Sequence, residues 1–126
     1  MIDMKKIVTI QDISCFGKCS LTVALPVISA MGIETAVIPT AVLSTHTGGF
    51  TGYTFHDLSA DISDISAHWK SLGLKFDGIY TGYLGSPEQL ALVADLIDRF
   101  RKPGAEIFID PVLGDNGSLY KGFTQD

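Results

Sequence analysis

The chain has 126 residues, 46% of them hydrophobic and 18% charged, enough apolar material for one small globular domain with its own core. No apolar run approaches the roughly 18 residues that a membrane helix needs, and Met1 to Lys6 lacks the apolar stretch of a secretory signal, so a cytoplasmic location is the default. The net charge of -5 comes without a basic cluster, which argues against a nucleic-acid or anionic-membrane surface and leaves any phosphate to be met by a metal or by backbone amides.

Lys6 to Gln11 reads as a first strand, with Asp12 just beyond it. Cys15 and Cys19 have no histidine nearby and read as reduced, buried thiols rather than metal ligands. Ser20 is placed to cap a helix in which Ala24, Val27, Ile28 and Met31 share a face, with Pro26 bending it or shortening its start and Gly32 ending it. Ala36 to Ile38 is a second strand closed by Pro39. From Thr40 to Thr54 hydroxyls, glycines and the imidazole of His46 concentrate in one connection, the composition of a segment that wraps a ligand. A helix from about Asp57 to Leu72 follows, with Leu58, Ile62, Ile65, Trp69 and Leu72 at helical spacing; Trp69 reads as core and His68 as surface. Phe76 to Thr81 is the third strand. Ser86-Pro87-Glu88-Gln89 combines an N-cap, a proline at the first helical position and a glutamine two residues further on, and the helix continues through Leu90, Val93, Ala94 and Ile97 to about Lys102. Ile107 to Ile109 is then a fourth strand, apolar enough to be buried on both faces and stopped by Pro111.

Strand alternating with helix implies right-handed crossovers and a parallel sheet covered on both sides, a three-layer α/β/α arrangement. Ligands of such sheets bind at the carboxyl ends of the strands, which is where Asp12, His46, Thr47, Tyr83, Asp110 and Asp115 all fall. No P-loop and no Gly-x-Gly-x-x-Gly after the first strand is present, so neither of those phosphate-binding devices is expected. Only sixteen residues follow Asp110, without a further predicted helix or strand, and the expectation is the N-terminal part of a longer domain, truncated after its fourth strand.

Thr9-Ile10-Gln11-Asp12, Pro39 to Gly48, Thr81-Gly82-Tyr83-Leu84-Gly85-Ser86 and Asp110-Pro111-Val112-Leu113-Gly114-Asp115 together resemble, in order and spacing, the pyridoxal/pyridoxamine kinases of the ribokinase-like superfamily. The resemblance spans nearly the whole chain. It implies ATP-dependent phosphorylation of the 5′-hydroxyl of a B6 vitamer, pyridoxal, pyridoxamine or pyridoxine, with Mg²⁺, possible help from a monovalent cation, and a homodimeric assembly. By motif, Tyr83 flanks the pyridine ring, His46 and Thr47 close over it, and Ala41 and Leu43 form an apolar wall. Asp110 and Asp115 match positions near the ATP phosphates and their metal ion, where carboxylates suit hard Mg²⁺. The segment from Asp115 to Tyr120 corresponds to a flap over the nucleotide.

The resemblance departs at Asp12, where many members carry serine; a carboxylate there suits a protonated pyridinium or amine. The family's catalytic aspartate and most of its adenine site belong to a later, glycine-rich part that these 126 residues do not contain, so residues 1–126 taken alone are expected to be inactive. Two other readings are a hydroxymethylpyrimidine kinase of the same fold and a non-catalytic ligand-binding half-domain.

Overall fold

The β-branched run near the N-terminus builds the centre of the sheet. In the computed structural model, which describes residues 3–120, 123 and 124, the chain runs β1 (Lys6–Phe16), α1 (Leu21–Ala30), β2 (Glu34–Thr45), β3 (Phe55–Asp57), α2 (Ser59–Ser71), β4 (Phe76–Thr81), α3 (Pro87–Phe100) and β5 (Arg101–Ile109). A small hairpin of β6 (Gly114–Asp115) and β7 (Ser118–Leu119) comes after them. The main sheet has the order β3-β2-β1-β4-β5, with every pairing parallel except that of β2 with β3. Alternation along β1 sends Val8 and Ile10 to one face, where they pack with Ile38, Phe76 and Ile79 against Ile62 of α2 and Val93, Leu96 and Phe100 of α3. Trp69 packs on this core, its ring 5.5 Å from Phe76 and 6.1 Å from Phe100, and His68 is exposed, both as the sequence suggests. Ile7, Tyr80 and Phe108 belong to the other face, beside Val23 and Val27 of α1 and Met31 just after it. The three layers are therefore present.

Several boundaries differ from the sequence reading, each for a tertiary reason. β1 does not stop before Asp12 and β2 does not stop at Pro39, because the two strands pair on together as far as Phe16 and Thr45. Pro39 lies before β3 joins at Ala41 and beside a bulge, places where a missing N–H is tolerated. The connection after β2 is accordingly shorter than expected, and its far end returns as the antiparallel β3. The thiol of Cys15 is exposed, not buried. Ser20 precedes α1 but makes no side-chain cap, and Pro26 lies inside a helix that still runs on to Ala30. Of α1 only Leu21 is buried; Val27, and Met31 just after the helix, stand exposed, since α1 covers β1 and β2 and leaves open the groove they share with Tyr80 and Phe108. In α3 the buried stripe is Gln89, Val93, Leu96 and Phe100, so Leu90 points outward. The strand expected to be buried on both faces is the edge strand β5, which leaves Phe108 65% and Ile109 60% exposed. It is also not the last strand, since β6 and β7 follow.

One buried polar residue ties the layers together at the carboxyl end. Ser86 caps α3 by accepting a hydrogen bond from the Gln89 amide at 3.2 Å, as its sequence predicts. The Gln89 side chain, only 1% exposed, accepts from the Gly85 amide at 2.9 Å and donates to the Thr40 carbonyl at 2.9 Å. Its amide nitrogen also lies 3.0 Å from Asp57 Oδ1 and 3.1 Å from the Ser59 hydroxyl. Strand β2, the start of α2 and the β4–α3 turn are thus held by a single amide. Replacing Gln89 by leucine leaves these groups buried and unpaired, at about 1–3 kcal/mol for each group without a substitute partner. We expect Gln89→Leu to lower unfolding free energy by about 3 kcal/mol in a urea titration; a change below about 1 kcal/mol would show that the network is not a keystone.

Candidate functional site

Parallel pairing of β1 with both β2 and β4 brings their carboxyl ends to one rim. The β1–β2 register slips between Gln11 and Ile13: Gln11 pairs with Pro39 and Ile13 with Val42, so Thr40 and Ala41 together oppose Asp12. Such a bulge re-aims neighbouring side chains. Asp12 is 5% exposed, and its Oδ2 accepts a hydrogen bond from the Ser14 hydroxyl at 3.4 Å. The Ser14 oxygen in turn accepts from the Cys19 thiol at 3.6 Å. The other carboxylate oxygen, Oδ1, is buried and has no partner among the described residues. A buried acceptor of this kind is costly unless something donates to it.

His46 follows β2, and its amide donates to the Phe16 carbonyl at 3.3 Å, which keeps the ends of β1 and β2 together. Its ring stands edge-on to Phe50, centroids 4.9 Å apart at 86°. Gly17, at φ 115°, makes room for it, because a Cβ there would lie 2.1 Å from His46 Cδ2. The neck of the loop closes where the Thr54 amide donates to the Ser44 hydroxyl at 2.8 Å and the Ser44 amide to the Thr54 carbonyl at 3.2 Å. On the other side of β1, the Gly82 amide donates to the Ile10 carbonyl at 2.9 Å and sets the start of the turn that carries Tyr83. Burial, reinforced by the Asp12 carboxylate and Tyr53, pushes the Tyr83 phenol above the ordinary tyrosine range, so it remains a neutral donor at any physiological pH.

These side chains meet around a cavity of about 340 Å³. Of the residues singled out in the sequence, Asp12, Leu43, His46, Thr47, Tyr83 and Asp115 line it. Ala41 does not; it is 2% exposed and fills the sheet beneath. Asp110 lies along the same rim, on a neighbouring cavity that shares Tyr83 and Val112 with the first.

No family model matches the sequence. A curated pyridoxal kinase of Vibrio campbellii is 35% identical over 118 residues, covering 88% of this chain and 40% of its own length. A Bacteroides thetaiotaomicron protein, assigned provisionally as a phosphomethylpyrimidine kinase and crystallised with pyridoxal, is 50% identical with a TM-score of 0.92 over 97% of this chain and 42% of its own. The pyridoxal kinase of Lactobacillus plantarum is 36% identical with a TM-score of 0.88, over 98% and 44%. Its homologues are pyridoxal kinases. The fold is the ribokinase-like one expected from the resemblance, and the chain spans about 40% of the length of the curated relatives it matches. A solved pyridoxal kinase of the same fold holds ADP together with pyridoxine.

Two further acids lie at the rim. Asp110 Oδ1 accepts from the Val112 amide at 3.1 Å and Asp115 Oδ1 from the Asn116 amide at 2.8 Å, so each carboxylate spends one oxygen on its own turn. Among the described residues no cluster of three or more His, Cys, Asp or Glu could cage a metal. The donor set fits a hard cation shared with phosphate oxygens and water better than one held by protein alone. Val112, a β-branched residue at φ 45°, separates the two acids and is strained, a feature frequent beside ligands. Among the described residues no helix is long and apolar enough to cross a membrane.

Sequence reasoning missed Ser14, Cys19, Ser20 and Phe55, and held Tyr53 and Tyr120 only as members of the ligand-wrapping segment and the flap; all six also line the cavity. Ser14, two residues beyond Asp12 on β1, shows its place once that strand is known to continue. The others arrive through loop and hairpin closure, which no local pattern encodes. The fit of His46 on Gly17 is directly testable. Gly17→Ala should displace the imidazole, shifting the His46 ring signals in NMR spectra, and cost about 1–3 kcal/mol of stability through the strained φ. Unmoved His46 signals would show that the ring is not seated on this glycine.

Proposed function

We propose that the chain carries the vitamer-binding part of an ATP-dependent kinase that phosphorylates the 5′-hydroxyl of pyridoxal, pyridoxamine or pyridoxine. The observation that carries this reading is the meeting of Asp12, Leu43, His46, Thr47, Tyr83 and Asp115, distant in sequence, around one cavity at the carboxyl rim of a sheet. The cavity, at about 340 Å³, is of a size for a single-ring ligand.

Tyr83 offers an aromatic face and a neutral phenol donor to a heteroaromatic ring. Leu43 and Phe55 supply apolar wall, and His46 with Thr47 close the loop side. Enclosing the ring orients its hydroxymethyl group and keeps water away from it. Asp110 and Asp115 would hold Mg²⁺ together with the phosphate oxygens of ATP, and the metal would neutralise charge as the γ-phosphoryl group is transferred. The acceptor hydroxyl's proton needs a base outside this cavity's acids, in keeping with the later aspartate that the resemblance implies.

A second reading, phosphorylation of a hydroxymethylpyrimidine, is favoured by the provisional assignment of the Bacteroides relative. Both ligands are flat heteroaromatics bearing a hydroxymethyl group, so assay decides between them. Calorimetric titration of the chain with pyridoxal should show binding that Tyr83→Ala weakens at least tenfold, about 1.4 kcal/mol, and Tyr83→Phe by less than threefold, under about 0.7 kcal/mol, which separates ring contact from hydroxyl contact. ATP- and Mg²⁺-dependent formation of the 5′-phosphate is measured with the complete gene product. Turnover of the pyrimidine alone would establish the second reading, and turnover of neither would defeat both.

A further inference from the structure

Gln89 does not line the cavity, yet its amide reaches the elements that carry three of the cavity's walls. Its Oε1 accepts from the amide of Gly85, two residues after Tyr83. Its Nε2 donates to the carbonyl of Thr40, which with Ala41 forms the bulge opposite Asp12 and leads on to Leu43. The same nitrogen lies 3.0 Å from Oδ1 of Asp57, the last residue of β3, whose first residue is the cavity residue Phe55. One side chain therefore refers the turn that carries Tyr83 to the strands that carry Leu43 and Phe55. It is 1% exposed, so water does not compete for these bonds.

Hydrogen bonds flank Tyr83 on both sides in the chain. Before it the Gly82 amide donates to the Ile10 carbonyl, and after it the Gly85 amide donates to Gln89. The Tyr83 ring lies against Gly85: a Cβ there would stand 3.5 Å from Tyr83 Cε1 and 3.8 Å from Gln89 Oε1. Ring, glycine and glutamine oxygen thus share one small space, and Phe123 also meets the ring edge-on, centroids 5.7 Å apart. Resting on the reading above, we infer that Gln89 is a positioning residue for the substrate, its amide fixing the Tyr83 turn relative to the β2–β3 wall and so setting how tightly a flat ring is held. Loss of the amide releases Gly85, and the tyrosine ring moves with it. A ring contact that is out of place costs affinity although no group touching the substrate has changed.

The test uses the full chain, pyridoxal and Gln89→Met, which keeps the length of the side chain and removes its hydrogen bonds. Pyridoxal binding measured by calorimetry should weaken about fivefold or more. In the Tyr83→Ala background the same substitution should weaken it by less than about twofold, because the contact it positions is already gone. In the ligand-free Gln89→Met chain the NMR signals of the Tyr83 ring should shift, while those of Tyr80, packed on Phe108, stay in place. Val93→Ala, one turn further along α3 in the core, lowers stability without touching the turn and should leave affinity within about twofold of wild type. Equal losses in the two backgrounds, unmoved Tyr83 signals, or an equal loss in Val93→Ala overturn the inference and leave the proposed function standing. Gln89→Asn, too short to span from Gly85 to Thr40, takes the place of the methionine variant if that one does not fold. The Tyr83 signals decide where the double variant binds too weakly to titrate. A wild-type chain that binds neither pyridoxal nor pyridoxine nor pyridoxamine defeats both.

Discussion

The arrangement of this protein rests on one constraint, the parallel pairing of β1 with β2 on one side and β4 on the other. Parallel neighbours must end at the same side of a sheet, so whatever follows each strand is delivered to a common rim. Asp12 and Ser14 come from β1 itself, Leu43 from the extended end of β2, His46 from the residue after it, and Tyr83 from the turn after β4. The bulge opposite Asp12 adds the one adjustment that regular pairing could not supply, a change of side-chain direction where the cavity begins.

Two buried polar side chains near that rim show how differently the same burial can be used. Gln89 has every hydrogen-bonding group occupied, and it joins β2, α2 and the turn before α3 into a rigid platform. Asp12 is nearly as buried but has one oxygen satisfied by Ser14 and one buried without a partner among the described residues. A satisfied network rigidifies, whereas a buried acceptor without a partner costs stability.

The two faces of the sheet are unequal. One is covered by α2 and α3 over a continuous core, while on the other α1 covers β1 and β2 and leaves Phe108 of β5 open. Apolar side chains at Val27, Met31 and Phe108 stand exposed around one groove beside α1. The bulk of the sheet's stability accordingly comes from the α2 and α3 side, where Trp69, Phe76 and Phe100 pack ring against ring.

Local sequence determined the alternation of strand and helix, the cap at Ser86, the core position of Trp69 and the set of polar residues after each strand, because propensity, capping and periodicity are short-range effects. It also carried the motifs of the family, and six of the eight residues chosen from them line one cavity. What tertiary structure alone decided is where pairing stops and which faces are covered. β1 and β2 outrun their apparent ends because each supplies the other's hydrogen bonds, and β5 is exposed despite its apolar sequence because it is an edge. The unpartnered oxygen of Asp12 is likewise invisible in the sequence, since an unpaired group is defined by what surrounds it in space.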